Sequence, residues 1–256
     1  MSDSVLNVDP ERIHNRSPFL DNIAKKLGRE KRTTGVVRPA LRHNCHHEVM
    51  AEFSQDELKE VLIGYTENNL ASQAVVTTRE KVAEALKAVC EGYCVVAEGE
   101  EAPANKAEVF LSSDARLQDL VSEASIESSL YDVNSWEASV GYQRNIELAE
   151  RAKVGVVFAE QALAESGTMV LYSQPNQGRS VSLLPEASVF IVAKSTLKAR
   201  LTQATAELHK KAADGERIPS CVNFISGPSS TADIELIKVV GVHGPVFASY
   251  IIIDDM

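Results

Sequence analysis

A change of hydrophobic period constrains this chain more than any other feature. From Ser54 onward, short apolar runs rich in Val, Ile and Phe alternate with longer segments whose apolar residues recur every three or four positions. "AVVT", "CVVAE", "AEVFL", "VGVVFA", "TMVLYS", "SVFIVA", "VNFIS" and "FASYIIID" read as strands. "SQDELKEVLIGYTENN" reads as a helix by period. Thr77 with Glu80 offers a capping box for a helix ending at Gly92, and Ser195 offers the N-cap of a long helix closed by Gly215. Strands that alternate with helices predict an α/β fold with a mostly parallel sheet flanked by helices. "AESGT", between two apolar runs, predicts one antiparallel turn, so the sheet is mostly parallel or mixed.

A chain of 256 residues with 44% hydrophobic content can bury a sizeable core as one large domain or one domain with an appendage. The appendage is visible in the charge. Residues 1–42 hold nine Lys/Arg and five Asp/Glu, a balance of +4, which leaves -14 for the rest of a chain whose net charge is -10. We therefore expect an N-terminal arm over residues 1–50 and an α/β domain over residues 51–256. Within the arm, "SPFLDNIAKKLG" predicts a short amphipathic helix with Ser17 as N-cap and Gly28 as terminator. Such a helix is marginal unless its apolar stripe is covered, so Ser17 to Arg42 is expected to dock a partner or a second copy. The acidic balance excludes a general nucleic-acid binder. No run approaches the ~18 apolar residues of a membrane span, and no signal sequence is recognised, so a cytoplasmic location with Cys45, Cys90, Cys94 and Cys221 reduced is expected.

Few motifs carry chemistry. "RHNCHHE" gathers His43, Cys45, His46, His47 and Glu48, but adjacent histidines point apart on regular backbone and no second ligand pair follows, so it reads as a polar connector and no metal is expected. Cys90 and Cys94 are spaced C-x3-C, which fits neither redox dithiols nor iron-sulfur ligation. No P-loop, G-x-G-x-x-G or G-x-S-x-G is present, and no cofactor is expected. "SGPSSTADIE" permits two readings: a helix start capped by Ser230 with Asp233, or a helix end whose Ser229, Ser230 and Thr231 amides accept a small carboxylate. "GVHGP" sets His243 in a loop before the last strand.

Three segments in order, "FAEQALAESGTMVLYS", "GRSVSLLPEASVFIVAK" and "GPSSTADIELIKVVGVHGP", resemble the lactate utilization domain family. The resemblance implies a fold similar to the sugar-phosphate isomerase and coenzyme A transferase group. It also implies a subunit of a bacterial system oxidising L-lactate to pyruvate beside iron-sulfur partner proteins. On the recurring motifs, Thr168, Arg179, Ser229, Ser230, Thr231 and His243 are candidates to bind a small carboxylate. The alternative is an autonomous transferase or ligase-like enzyme, with Glu160 or Glu165 as nucleophile or base and His243 as acid/base.

The connector reading has a direct test. Untagged protein purified without chelator should carry well under one equivalent of zinc or iron by elemental analysis; a full equivalent, lost when His43 and His47 are changed, would overturn it.

Overall fold

The chain separates into two units, residues 1–44 and 45–256. The computed structural model describes residues 14–35, 37, 40–96, 105–232 and 237–256. In the first unit, helix α1 (Arg16–Lys26) begins one residue before the expected cap. Asn15 precedes it in left-handed backbone without capping by its side chain, and Ser17 instead bonds Asp21 and receives Lys31 Nζ at 2.9 Å. Gly28, at φ 63°, closes it as expected.

The second unit opens with one helical turn, α2 (Cys45–Glu48), and then α3 (Gln55–Asn69), where Ser54 and Glu57 form a complete capping box. Strand β1 (Gln73–Thr77) follows. Thr77 is thus a strand residue and not a cap; the turn at Arg79–Lys81 takes its acceptor from Asp255, which receives the Arg79 amide at 2.7 Å. Helix α4 (Val82–Cys94) runs past Gly92, so the strand expected from Cys94 does not form over the described residues. Its helical period keeps Cys90 and Cys94 on the buried face one turn apart. Next come β2 (Ala107–Leu111), α5 (Ala115–Leu120), β3 (Tyr131–Ser135), α6 (Gly141–Arg151), β4 (Val154–Phe158), β5 (Gln161–Leu163) and β6 (Thr168–Tyr172). The chain continues with α7 (Ser180–Leu183), β7 (Ala187–Ala193), β8 (Leu197–Lys198) and α8 (Leu201–Ala213). Arg200, not Ser195, stands at the N-cap of α8; Ser195 lies in a turn where its amide bonds Met256 O. The last strands are β9 (Val222–Ser226), β10 (Ser230–Ala232), β11 (Lys238–Val240) and β12 (Phe247–Ile253).

Six strands form one sheet in the order β1-β12-β7-β4-β2-β3, and every neighbouring pair is parallel. The strand period of two divides its apolar residues between two cores. Val109, Leu111, Val154, Val156, Phe158, Val189, Ile191, Ile251 and Ile253 pack with α4 and α5. Phe110, Val157, Phe190, Val192, Tyr250 and Ile252 pack with α3, α6 and α7, together with Ala162, Met169 and Leu171 of a second sheet ordered β8-β5-β6-β9. Gly155 shows how close this layer sits: a Cβ there would lie 1.9 Å from Val181 O. The antiparallel turn expected at "AESGT" joins β5 to β6, so the α/β architecture is as read, with an all-parallel sheet beside a mixed one in which β5–β8 is parallel and β5–β6 and β6–β9 are antiparallel.

Tyr250 links the layers. From the central sheet its buried hydroxyl accepts from Gly227 N and donates to Gly167 O, both at 2.7 Å, and burial pushes the phenol up to about 12. Gly167 and Gly227 have positive φ, 57° and 64° respectively, and both abut Leu70. Tyr250→Phe should leave the Gly167 carbonyl and Gly227 amide unpaired and lower stability by about 2 kcal/mol in urea unfolding without changing the fold; a loss within error would show that the two loops hold without it.

Candidate functional site

Open parallel sheets bind ligands beyond the carboxyl ends of their strands, where neighbouring strands send their connections in opposite directions. Here that place lies between β2 and β4, which are hydrogen-bonded neighbours. β2 leads into α5 against one core, while β4 leads into β5 and β6 against the other.

Both connections deliver charge to this edge. Asp114 ends the turn after β2 and caps α5, accepting the Arg116 amide at 2.9 Å. Glu160 follows β4 by two residues. Between them lies Arg116, whose Nε and Nη2 donate to the two Asp114 oxygens at 2.9 and 2.7 Å, and whose Nη1 and Nη2 donate to the two Glu160 oxygens at 2.9 and 2.7 Å. The guanidinium lies 4.7 Å from the Phe158 ring centre, and Gln174 Nε2 adds a bond to Asp114 Oδ2 at 2.9 Å. Burial drives the Asp114 carboxyl upward, but the Arg116 hydrogen bonds and charge outweigh it and hold the group below the usual range. Burial likewise opposes the Arg116 charge, and the two carboxylates raise its pKa nonetheless.

A turn covers this cluster. Gln174 and Gln177 bridge across it, Asn176 O receives the Ser113 amide at 2.9 Å, and Trp136 Nε1 donates to Pro175 O at 2.8 Å. Gly178 is required beneath the indole, since a Cβ would lie 2.1 Å from it. Buried polar groups normally have partners, yet Ser112 Oγ, Ser173 Oγ, Gln161 Oε1 and both amide atoms of Gln177 have none among the described residues. All belong to segments that leave β2, β4 or β6. Beside them opens a groove of about 590 Å³ lined by Glu160, Tyr172, Ser173, Gln174, Arg217 and Pro219. Its size suits a small ligand.

A larger cavity, about 710 Å³, lies at the amino ends of the parallel strands. At its wall Lys153 pairs with Glu186 at 2.7 Å, and Arg151 is engaged with Glu108 at 3.0 Å. The carboxyl-edge groove is the better candidate, because it joins the strand connections to convergent polar groups.

The residues singled out from the sequence do not converge on one place. In "SGPSSTADIE", Ser230–Ala232 is strand β10 and not a helix start, paired antiparallel with β11 through Ser230↔Val240 and Thr231↔Val239. The helix-end amides of that reading are therefore absent; Ser229 N donates to Pro245 O at 2.9 Å and Ser230 Oγ to Pro228 O at 3.3 Å. Asp233 and Glu235 lie outside the described residues. Ser229 meets the "GVHGP" loop, since a Cβ on Gly244 would lie 3.2 Å from it, and His243 in that loop is exposed. Thr168 is buried, its hydroxyl bonded to Ser166 and Ser226. Arg179 reaches Asn223 Oδ1 at 3.1 Å. The register pairs Asn223 with Leu171, three residues from Thr168 and hence about 10 Å along the strand. Glu165 is paired with Arg200 at 2.6 Å, an arginine that also donates to Cys45 O. His46 and His47, expected to point apart, lie with ring centres 4.2 Å apart in a helical turn; among the described residues no three His, Cys, Asp or Glu side chains gather as a metal site. Sequence reasoning did weigh Glu160. It missed Asp114 and Arg116, although "SSDAR" directly after a strand carries the Ser/Asp signal of a strand-to-helix turn.

Arg116→Met should cost about 3 kcal/mol at neutral pH, because Asp114, 4% exposed, would keep a buried charge without its partner. The sign with pH follows from the lowered Asp114 pKa: its contribution to the native protein is present above the ordinary carboxylate range and is lost as pH falls through the folded value. The gap between native and variant should therefore close in acid; a gap constant from neutral pH to acid would refute the ion-pair account.

Residues 59–253 match the LUD domain model. An uncharacterized protein, YkgG, from Escherichia coli (strain K12) is 43% identical over 243 residues, covering 95% of this chain and 100% of that protein. Lactate utilization protein C from Geobacillus sp. (strain WCH70) is 43% identical over 249 residues, covering 95% and 97%. The protein of that name from Halalkalibacterium halodurans is 42% identical over 243 residues, covering 95% and 99%. Among solved structures, a DUF162 family protein from Deinococcus radiodurans has the same fold, with a TM-score of 0.54 at 16% identity over 78% of this chain and 99% of that one. With a family match across most of its length and relatives above 40% identity, the chain belongs to the LUD domain family.

Proposed function

We propose that this protein serves lactate utilization, as a subunit that binds a small carboxylate while iron-sulfur partner proteins carry the electrons of L-lactate oxidation to pyruvate. The observation that carries this reading is near-complete coverage: proteins called lactate utilization protein C align with 95% of the chain at 42–43% identity. The chemistry of the chain agrees with a division of labour. Cys90 and Cys94 are inward-facing thiols whose pKa is raised first by burial, to about 11 at Cys94, so they are poor ligands and poor nucleophiles. We assign carboxylate binding to the groove at the carboxyl edge, where cationic and polar side chains meet a space of suitable size.

The test is genetic and biochemical together. A strain lacking this gene should lose growth on L-lactate and regain it with the intact gene. Protein isolated from its native host should bring down partners with iron-sulfur absorption and lactate-oxidising activity, while the purified chain alone oxidises no lactate. Undiminished growth of the deletion strain on L-lactate would refute the role, and lactate oxidation by the purified chain would refute the division of labour.

A further inference from the structure

Three arginines lie near the carboxyl edge, and their engagements differ. Arg116 spends four donor contacts on Asp114 and Glu160, leaving it no fork to offer a ligand. Arg179 is engaged with Asn223. Arg217, in the loop after α8, lines the groove, is exposed, and has no hydrogen bond or ion pair among the described residues. It is the guanidinium available to grip a carboxylate through two parallel N–H bonds.

The same groove is lined by Glu160, whose two oxygens are fixed by Arg116. A carboxylate offers about four acceptor sites, so Glu160 keeps capacity for a ligand donor. A carboxylate offers acceptors only. Ile218 and Pro219 add apolar surface between the polar groups. From these placements we infer that the groove selects small 2-hydroxy acids, with Arg217 taking the carboxylate and Glu160 accepting the 2-hydroxyl proton in a hydrogen bond. A 2-oxo acid presents only a carbonyl lone pair to Glu160, acceptor against acceptor, and is disfavoured. A second carboxylate on the ligand meets the Glu160 charge and is disfavoured too. Arg116 is then a positioning residue, holding Glu160 in the orientation that reads the hydroxyl.

This inference rests on the carboxylate-binding role proposed above, and the experiment separates the two. Binding of L-lactate, pyruvate and propionate to the full chain would be measured by calorimetry, with circular dichroism to verify that each variant is folded. The native protein should bind L-lactate on the order of tenfold or more above pyruvate and propionate, the scale of one hydrogen bond to a charged group. Arg217→Ala should weaken all three by a similar factor. Glu160→Gln, whose amide can both donate and accept, should retain carboxylate binding while the preference for L-lactate over pyruvate collapses toward unity. No binding of any acid by the native protein would overturn the carboxylate role itself. If acids bind but Arg217→Ala has no effect, or Glu160→Gln keeps the full preference for L-lactate, the role stands and this assignment of the groove falls.

Discussion

Burial of the parallel sheet on both faces is the constraint from which the rest follows. Parallel strands need crossovers, crossovers place helices over both faces, and the strands between them must be apolar throughout. β4 and β7 satisfy this with every residue buried, Val154 to Phe158 and Ala187 to Ala193. A sheet so enclosed has no room for a polar site on its faces. Chemistry is displaced to its two edges, and the reversal of direction between β2 and β4 opens one of them.

At that edge the protein maintains an arrangement that brings no obvious gain in stability. A buried ion pair gives up hydration that its Coulomb attraction recovers only with complete hydrogen bonding, and a well-packed apolar replacement is often as stable. Asp114, Arg116 and Glu160 come close to completeness, with the guanidinium bidentate to both carboxylates and Gln174 adding a further donor. Ser112 Oγ, Gln161 Oε1, Ser173 Oγ and the Gln177 amide have no such compensation among the described residues. Each costs about 1–3 kcal/mol if it stays unpaired. A core selected for stability alone would favour Ala, Val or Leu at these positions.

The sequence disclosed the sheet and concealed the site, and the reason is physical. "VGVVFA" and "SVFIVA" declare themselves because strand period and burial act on every residue of the run. α3 is legible for the same kind of reason, since a helical period runs through "SQDELKEVLIGYTENN"; the Ser54–Glu57 box that caps it was not read there. Thr77 and Ser195 matched local capping patterns and failed, because long-range bonds from the Arg79 amide to Asp255 and from the Ser195 amide to Met256 O determine those turns. "SGPSSTADIE" failed likewise: at Ser230–Ala232 its backbone pairs with Lys238–Val240 instead of coiling. Arg116 and Glu160 are 44 residues apart in the chain, and no spacing rule announces such a pair.

The recurring glycines illustrate how a conspicuous motif can mark architecture while function sits elsewhere. Gly167 and Gly227 belong to the segments that carried the family resemblance, and both adopt left-handed backbone against Leu70 with their polar groups bonded to Tyr250. Gly167 holds a φ of 57°, which L side chains rarely adopt, and an added Cβ would press on the Leu70 side chain at 2.6 Å, so the position favours glycine whatever the protein binds. That clamp fixes one end of the β6–β9 pair, where Thr168 faces Ser226. The other end, Tyr172 opposite Val222, is where the chain turns toward Ser173 and Gln174 and where the groove begins. The glycine knot anchors the pair at one end, and its far end is free to present polar side chains over the switch between β2 and β4.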